Sequence, residues 1–304
     1  MPELPEVETT KTSLTPLLGQ RVTDVQVFQP KLRWLMPDNL MQLIGYTLQN
    51  VERRAKYLLL TLTPSAISTK GISDSPNPSA PHTLIMHLGM SGSLQQYPLG
   101  TKKRKHDHLI LLFDDNHQQT QLHYHDPRRF GAVLWHKDYA HKLLDHLGPE
   151  PLSADFTADY LYHLIQRTES TEQGLRKRAI ARPIKSVIME QQVVVGVGNI
   201  YAAESLYLAN IHPATPACQL SFEQISILVA HIKAILQKAI ALGGSTLRDF
   251  TVANGQTGYF QQTLNVYGRQ GEPCPQCAEV LDSIKLNGRA SVYCPRCQRL
   301  GDSV

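Results

Sequence analysis

The sequence predicts an α+β fold in three segments: an N-terminal β-sandwich over 1–150, a helical domain over 151–264 and a cysteine-bearing β-hairpin over 265–299. Three observations predict it. Short β-branched or apolar segments bounded by Gly, Pro, Asn and Asp crowd the first half. Helical periodicity replaces them after Pro149-Glu150-Pro151. Two Cys-x2-Cys units then close the chain.

The first element is a helix from Pro5 to Leu17, with Val7, Leu14, Leu17 and Leu18 as its apolar stripe. Strands follow at Val22 to Phe28, Tyr46 to Glu52, Tyr57 to Thr63, Thr83 to His87, Leu109 to Phe113 and Gly131 to His136. Many short strands separated by turn signals make a two-layer sandwich. Ser65 to Pro81, rich in Ser, Pro, Gly and Asn, reads as a mobile surface insertion. Helices are then expected at Asp155 to Gln166, Ile184 to Gln191, Asn199 to Ala209 and Phe222 to Leu242. The last has Phe222, Ile225, Leu228, Val229, Ile232, Leu236, Ala239 and Ile240 on one side, Ser221 with Gln224 as a capping box, and Gly243-Gly244 as its stop.

The 304 residues are 42% hydrophobic and 18% charged, which excludes a disordered chain. No stretch approaches the ~20 apolar residues of a membrane span. The acidic start MPELPEVE lacks a signal-peptide core, so a cytoplasmic protein is expected. Net charge is only +4, but bases collect at Arg53, Arg54 and Lys56, at Lys102 to Lys105, at Arg128 and Arg129, and from Arg176 to Lys185. One such run is an ordinary solvated face; four beside apolar segments point to a shared groove for a polyanion.

Cys274-x2-Cys277 and Cys294-x2-Cys297, with 16 residues between the pairs, have the spacing of a tetrahedral four-thiolate zinc site. Four thiolates fill the coordination sphere, so the single Zn2+ is structural. Asn287-Gly288 between the pairs is a two-residue hairpin signal, with Arg289 beside the turn. The isolated Cys218 is given no role. Histidines 106, 108, 123 and 125 alternate as on strands, but no cysteine or carboxylate completes a recognisable metal pattern, so no metal is expected there and structural hydrogen bonds are expected of His108, His123 and His125.

Pro2 follows the initiator methionine, and its small side chain favours removal of Met1. The secondary amine left behind titrates near pH ~8, so much of it is neutral and nucleophilic at physiological pH. Attack on an aldehyde-level carbon gives a cationic iminium, an electron sink for elimination, and Glu3 is placed to move a proton.

Read in order, MPELPEVE (1–8), RRAKYLLL (53–60), HLGMSGSL (87–94), KHDH (105–108), DPRRFG (126–131), LGPEPL (147–152), VVGVGNIYAAESL (194–206), GGSTLRDF (243–250), VYGRQGEPC (266–274) and the two cysteine pairs closely resemble the bacterial formamidopyrimidine-DNA glycosylases over nearly the whole chain. The resemblance implies a monomeric base-excision enzyme acting on damaged double-stranded DNA, removing oxidised purines and nicking the strand by β,δ-elimination. It implies Pro2 as the nucleophile at C1′, Glu3 as proton donor in sugar ring opening, Lys56 in β-elimination and Arg289 in δ-elimination. His106, Arg128 and Asn199 match DNA-contacting positions, and Lys185 a phosphate-binding lysine. Arg178 is assigned a further DNA contact from the 176–182 basic stretch, which is longer than the family pattern. Met90, Arg128 and Phe130 match residues that fill the gap left by an extruded base, and the VVGVGNIY segment matches part of the family's helix–two-turns–helix motif. Departures are the 65–81 insertion and Ser186, where the family commonly has proline.

Two other readings compete. An endonuclease VIII-like glycosylase would share the proline but prefer oxidised pyrimidines. Against it stand Leu4, where that branch has glycine, and the loop Thr251 to Gln262, which resembles the segment that closes over an oxidised purine. A non-catalytic zinc protein that only binds DNA would need neither Pro2 nor Glu3.

Overall fold

The computed structural model describes residues 2–64, 80–115, 117–167, 178–244 and 264–300. Most of the 65–81 insertion, part of the 176–182 basic stretch and the loop from Thr251 to Gln262 lie outside the described residues. Contacts divide the chain into two compact units. One contains the described part of Met1–His146 with Gly243 and Gly244; the other contains Leu147–Leu242 and the described residues from Leu264 onward.

In the first unit, helix α1 (Leu4–Ser13) and a 3-10 turn (Thr15–Leu17) precede strands β1 (Arg21–Val27), β2 (Tyr46–Arg54), β3 (Tyr57–Pro64), β4 (His82–His87), β5 (Ser93–Pro98), β6 (Asp107–Asp114), β7 (Gln119–His125) and β8 (Ala132–Trp135), then helix α2 (His136–Leu143). All pairings are antiparallel, in the order β5-β7-β6-β1-β2-β3-β4-β8. That order forces the sheet to fold over. β4 and β5 stand six places apart, about 29 Å in a flat sheet, yet residues 88–92 alone join them, and that link reaches only about 20 Å. Both halves therefore face one core, in which Leu58, Leu60, Met86 and Val133 cluster with Leu109, Leu111, Phe113 and Tyr124. This is the predicted sandwich.

Two strands and one helix were not expected. β5 (SLQQYP) and β7 (QTQLHYH) carry mostly polar residues and show no apolar run of the kind that marks the other strands. They form because β6 and β7 pair along their length, with Leu122 and Tyr124 driven into the core. The pairings Tyr57↔His87, His87↔Ala132, Ser93↔His125 and Asp107↔His125 align strand ends. The turn at 55–56 and the loops 88–92 and 126–131 thereby emerge from one end of the sandwich.

The second unit holds α3 (Ala158–Gln166), α4 (Ile184–Ile188), α5 (Asn199–Leu208), α6 (Phe222–Ala241) and a hairpin of β9 (Asp282–Leu286) and β10 (Arg289–Tyr293). α3 starts three residues later than expected, where the Thr157 hydroxyl accepts from Tyr160 N–H at 3.0 Å. Turns at residues 189 and 191–193 link α4 to α5, giving the helix–two-turns–helix arrangement. The Ser221–Gln224 capping box forms, with Gln224 N–H to Ser221 Oγ at 3.2 Å and Ser221 N–H to Gln224 Oε1 at 3.0 Å. One expectation needs correction: α6 is by length and composition apolar enough to cross a membrane. Its apolar residues nevertheless form a stripe (Ile225, Leu228, Ile232, Leu236) buried against α5 and α3, which accounts for the composition.

Candidate functional site

α1 begins at the chain's start because Glu3 caps it. Glu3 N–H donates to Glu6 Oε2 at 2.8 Å in a capping box, and both carboxylates are buried, as is Pro2. Gly244 adopts φ +81°, and a Cβ there would lie 3.2 Å from Glu6 Oε1, so a glycine is needed at that approach.

The turn carrying Lys56 is stitched to this helix. Arg53 Nε donates to Glu8 Oε2 at 2.6 Å, and its Nη1 donates to the carbonyl of Ala55 at 3.1 Å. Ala55 sits at φ 55°, a left-handed conformation that this bond supports. Burial alone would raise the Glu8 carboxyl, but hydrogen bonds from Lys11 and Arg53 outweigh it and hold it below its ordinary value. Lys56 itself is buried.

His87, overlooked in the sequence because it ends an apolar strand, lies against this turn. Its ring stands 5.0 Å from that of Tyr57, and its Nδ1 accepts from Gly89 N–H at 3.0 Å. Burial, reinforced by the positive charges of Lys56 and Arg33, pushes its pKa down to about 4, so the imidazole is neutral at physiological pH. The one available signal was its place at the head of HLGMSG.

Met90 and Phe130 project from the loops at this end of the sandwich, 42% and 50% exposed. Arg128 Nη1 stands 4.0 Å from Met90 Sδ. His106 is half-buried, its ring 5.9 Å from that of His125. The turn beneath it is anchored by Asp107, whose buried carboxylate accepts from His123 Nδ1 (2.9 Å), His125 Nδ1 (2.8 Å) and Arg104 N–H (2.8 Å). Burial opposes ionisation of Asp107, yet these bonds hold it well below the usual carboxylate range. His108, His123 and His125 thus make structural hydrogen bonds, as expected. The basic runs are less uniform than the sequence suggested, since Arg53, Arg104 and Arg182 are each paired to a carboxylate, Glu8, Asp107 and Glu190.

In the second unit a cleft of about 250 Å³ is lined by Lys185, Ser186, Asn199, Asn287 and Arg289 among others. Lys185 is almost wholly buried, its ammonium donating to Ser291 Oγ at 2.8 Å and to the Ala290 carbonyl at 3.4 Å. Asn199 Nδ2 donates to the same carbonyl at 3.2 Å, from the first turn of α5, where backbone N–H groups favour an anion. Ser186 Oγ accepts from Asn287 Nδ2 at 2.9 Å, tying α4 to the hairpin turn. Arg178 is exposed, and no described contact brings it to this cleft.

The four cysteine sulfurs lie within 4.8 Å of one another. The separations are 4.0 Å for Cys274–Cys297, 3.5 Å for Cys277–Cys294 and 3.4 Å for Cys277–Cys297. Four thiolates around zinc stand about 3.8 Å apart, so the donor set fits one Zn2+. Burial and the neighbouring thiols push Cys294 and Cys297 up, so four thiolates need a cation to coexist. Asn287 and Gly288 take φ 48° and 76°, as the predicted hairpin turn requires.

The hairpin is joined to α5 by Glu204. This buried carboxylate accepts from Asn265 N–H, Val266 N–H and Tyr267 N–H, each at 2.8 Å, and from Asn265 Nδ2 at 2.9 Å. Glu204→Ala strands these donors, so a loss of about 3 kcal/mol or more is expected in urea unfolding. A change below about 1 kcal/mol would show that water replaces the carboxylate.

Comparison with known proteins agrees with this geometry. Residues 1–133 match the formamidopyrimidine-DNA glycosylase N-terminal domain, 147–251 the formamidopyrimidine-DNA glycosylase H2TH domain, and 271–300 the zinc finger found in FPG and IleRS. A formamidopyrimidine-DNA glycosylase of Psychrobacter arcticus is 68% identical over 300 residues, 96% of each chain. That of Acinetobacter baylyi is 52% identical over 99% of both. Among solved structures, a Lactococcus lactis FPG mutant in complex with Fapy-dG-containing DNA superposes with a TM-score of 0.80 at 35% identity, covering 98% of this chain and 100% of that one. MutM with DNA containing carbocyclic 8-oxo-G gives 0.79 at 34% identity, covering 98% and 100%. The sequence motifs, the two units and the four-sulfur cluster lead to one conclusion: the chain belongs to the formamidopyrimidine-DNA glycosylase family.

Proposed function

We infer that this protein is a bifunctional base-excision enzyme, a DNA glycosylase and abasic-site lyase that acts as a monomer on damaged double-stranded DNA and removes oxidised purines. The observation that carries the reading is the first unit itself. A buried Pro2-Glu3 start is fixed by a capped helix, that helix is clamped to the Lys56 turn, and exposed Met90 and Phe130 stand on adjoining loops. We assign 1–150 to catalysis, 151–264 to holding DNA and 265–299 to the zinc finger, and place the enzyme in the bacterial cytoplasm, where its substrate is chromosomal DNA.

The chemistry follows from the terminal amine. The Pro2 nitrogen attacks C1′ and the damaged base departs with the electrons of its glycosidic bond. The C1′–O4′ bond then opens, Glu3 delivers the proton to O4′, and a cationic iminium remains. Removal of a C2′ proton sends electrons toward that cation and expels the 3′ phosphate, with Lys56 holding its charge. A second elimination expels the 5′ phosphate, the step assigned to Arg289. Lys185 and Asn199 fix the backbone through the cleft they line, with Arg178 as an outer contact. His106 and Arg128 grip the strand beside the lesion. Turning a base out costs a few kcal/mol of stacking, which Met90, Arg128 and Phe130 offset by filling the hole.

Borohydride trapping on an 8-oxoguanine duplex tests this. A covalent adduct is expected, and its absence with intact DNA binding would favour the non-catalytic zinc protein. Faster turnover of thymine glycol than of 8-oxoguanine would favour the endonuclease VIII-like reading. A Lactococcus lactis Fpg has also been crystallised with DNA containing an oxidised pyrimidine, so the two rates must be compared directly.

A further inference from the structure

We propose that Asp126 is a positioning residue that locks the Met90 and Phe130 loops at one spacing, and that this spacing sets the rate at which the damaged base is turned out of the duplex. The proposal rests on the reading above that those two side chains enter the helix.

Asp126 has no exposed surface, although Pro127, Arg128, Arg129 and Phe130 after it are all exposed. Its two carboxylate oxygens serve two different segments. Oδ1 accepts from the Ser91 hydroxyl at 3.3 Å, one residue past Met90. Oδ2 accepts from Gly131 N–H at 2.9 Å, one residue past Phe130. The backbone of Asp126 is held as well. Its carbonyl accepts from His108 Nε2 at 2.8 Å and from Arg129 N–H at 3.2 Å, and its N–H donates to the His106 carbonyl at 3.0 Å. The residue is therefore held to the start of β6, at the root of its own loop.

Glycines make the two loops one body. A Cβ on Gly89 would fall 2.5 Å from both Gly131 N and the carbonyl carbon of Phe130. A Cβ on Gly131 would overlap the Tyr124 hydroxyl, which itself donates to the His87 carbonyl at 3.0 Å. The two main chains thus touch with no side chain between them, and neither loop shifts without the other.

A carboxylate suits this place for a chemical reason. Two donors converge from different segments, and asparagine could accept from only one of them. A turn alone would not need it, since burying a charge beside neutral donors is unfavourable unless each bond is made. What the arrangement supplies is a wedge whose parts need no ordering at the moment of insertion.

The test uses the full-length protein and an 8-oxoguanine duplex with 2-aminopurine next to the lesion, followed by stopped-flow fluorescence. Trapping on a single strand with a preformed abasic site, which has no duplex to open, reports the chemistry alone. Ser91→Ala is the mild variant and Asp126→Asn the stronger one; Met90→Ala and Phe130→Ala test the wedge itself. Ser91→Ala is expected to slow the fluorescence step on the order of tenfold with single-strand trapping unchanged. Equal slowing of both would mean only general support of the fold and would overturn the proposal. No slowing by Ser91→Ala or Asp126→Asn, while Met90→Ala and Phe130→Ala slow the step, would overturn it and leave the wedge reading standing. No slowing by any of the four would remove the wedge reading itself.

Discussion

A protein that retains residues ahead of Pro2 is expected to lose base excision on the order of 10⁴-fold or more, the scale seen when a covalent nucleophile is removed. The reason is electronic. In an acylated proline the nitrogen lone pair is delocalised into the amide and cannot attack C1′. Pro2→Gly keeps a free amine but loses the ring that fixes its direction, so a smaller defect is expected. Single-turnover release of 8-oxoguanine, paired with mass spectrometry of the mature N-terminus, checks both. Undiminished release from a protein shown to carry its initiator residue would end the proline mechanism.

Cys294→Ala, or removal of zinc by a chelator, is expected to abolish tight DNA binding, a loss of at least about a hundredfold. The hairpin has two strands of five residues each, too little to stand alone. Its core includes the cysteines themselves, since Cys274 and Cys294 are buried with Val266, Leu281 and Val292. A structural zinc contributes on the order of 10–16 kcal/mol to such modules. The damage should reach the cleft. Ser291 and Ala290 on β10 hold the Lys185 ammonium, and Ala290 also receives Asn199. Without the hairpin a buried ammonium loses its partners and the two groups assigned to phosphate lose their geometry. Metal content by atomic absorption, read beside Kd for lesion-containing duplex, measures this. Unchanged affinity in a metal-free protein would separate the finger from DNA binding.

The asymmetry in what could be read is chemical. Zinc ligands were legible because each Cys-x2-Cys pair is a local loop whose spacing already fits the metal, and the Asn287-Gly288 turn is likewise local. Helix α6 was legible from its stripe and its capping box. β5 and β7 were not, because their polar residues become strand only through pairing, β7 in a hairpin with β6 and β5 on β7. Asp107, Asp126 and Glu204 carry no local signal of burial, because the donors that satisfy them include groups from separate segments. Arg53 looked like part of a basic face, whereas its fork joins Glu8 to the Ala55 carbonyl.

From residue order alone came the α6 capping box, the six apolar strands, the metal-binding spacing and the ordered motifs that assign the family. These depend on neighbours within a few residues, where covalent geometry limits the options. Tertiary structure alone decided that His87 is a neutral histidine beside Lys56, that Lys185 is buried against the hairpin, and that one carboxylate ties the Met90 loop to the Phe130 loop. Each depends on desolvation and on hydrogen-bond partners from distant segments, and these quantities exist only once the chain has folded.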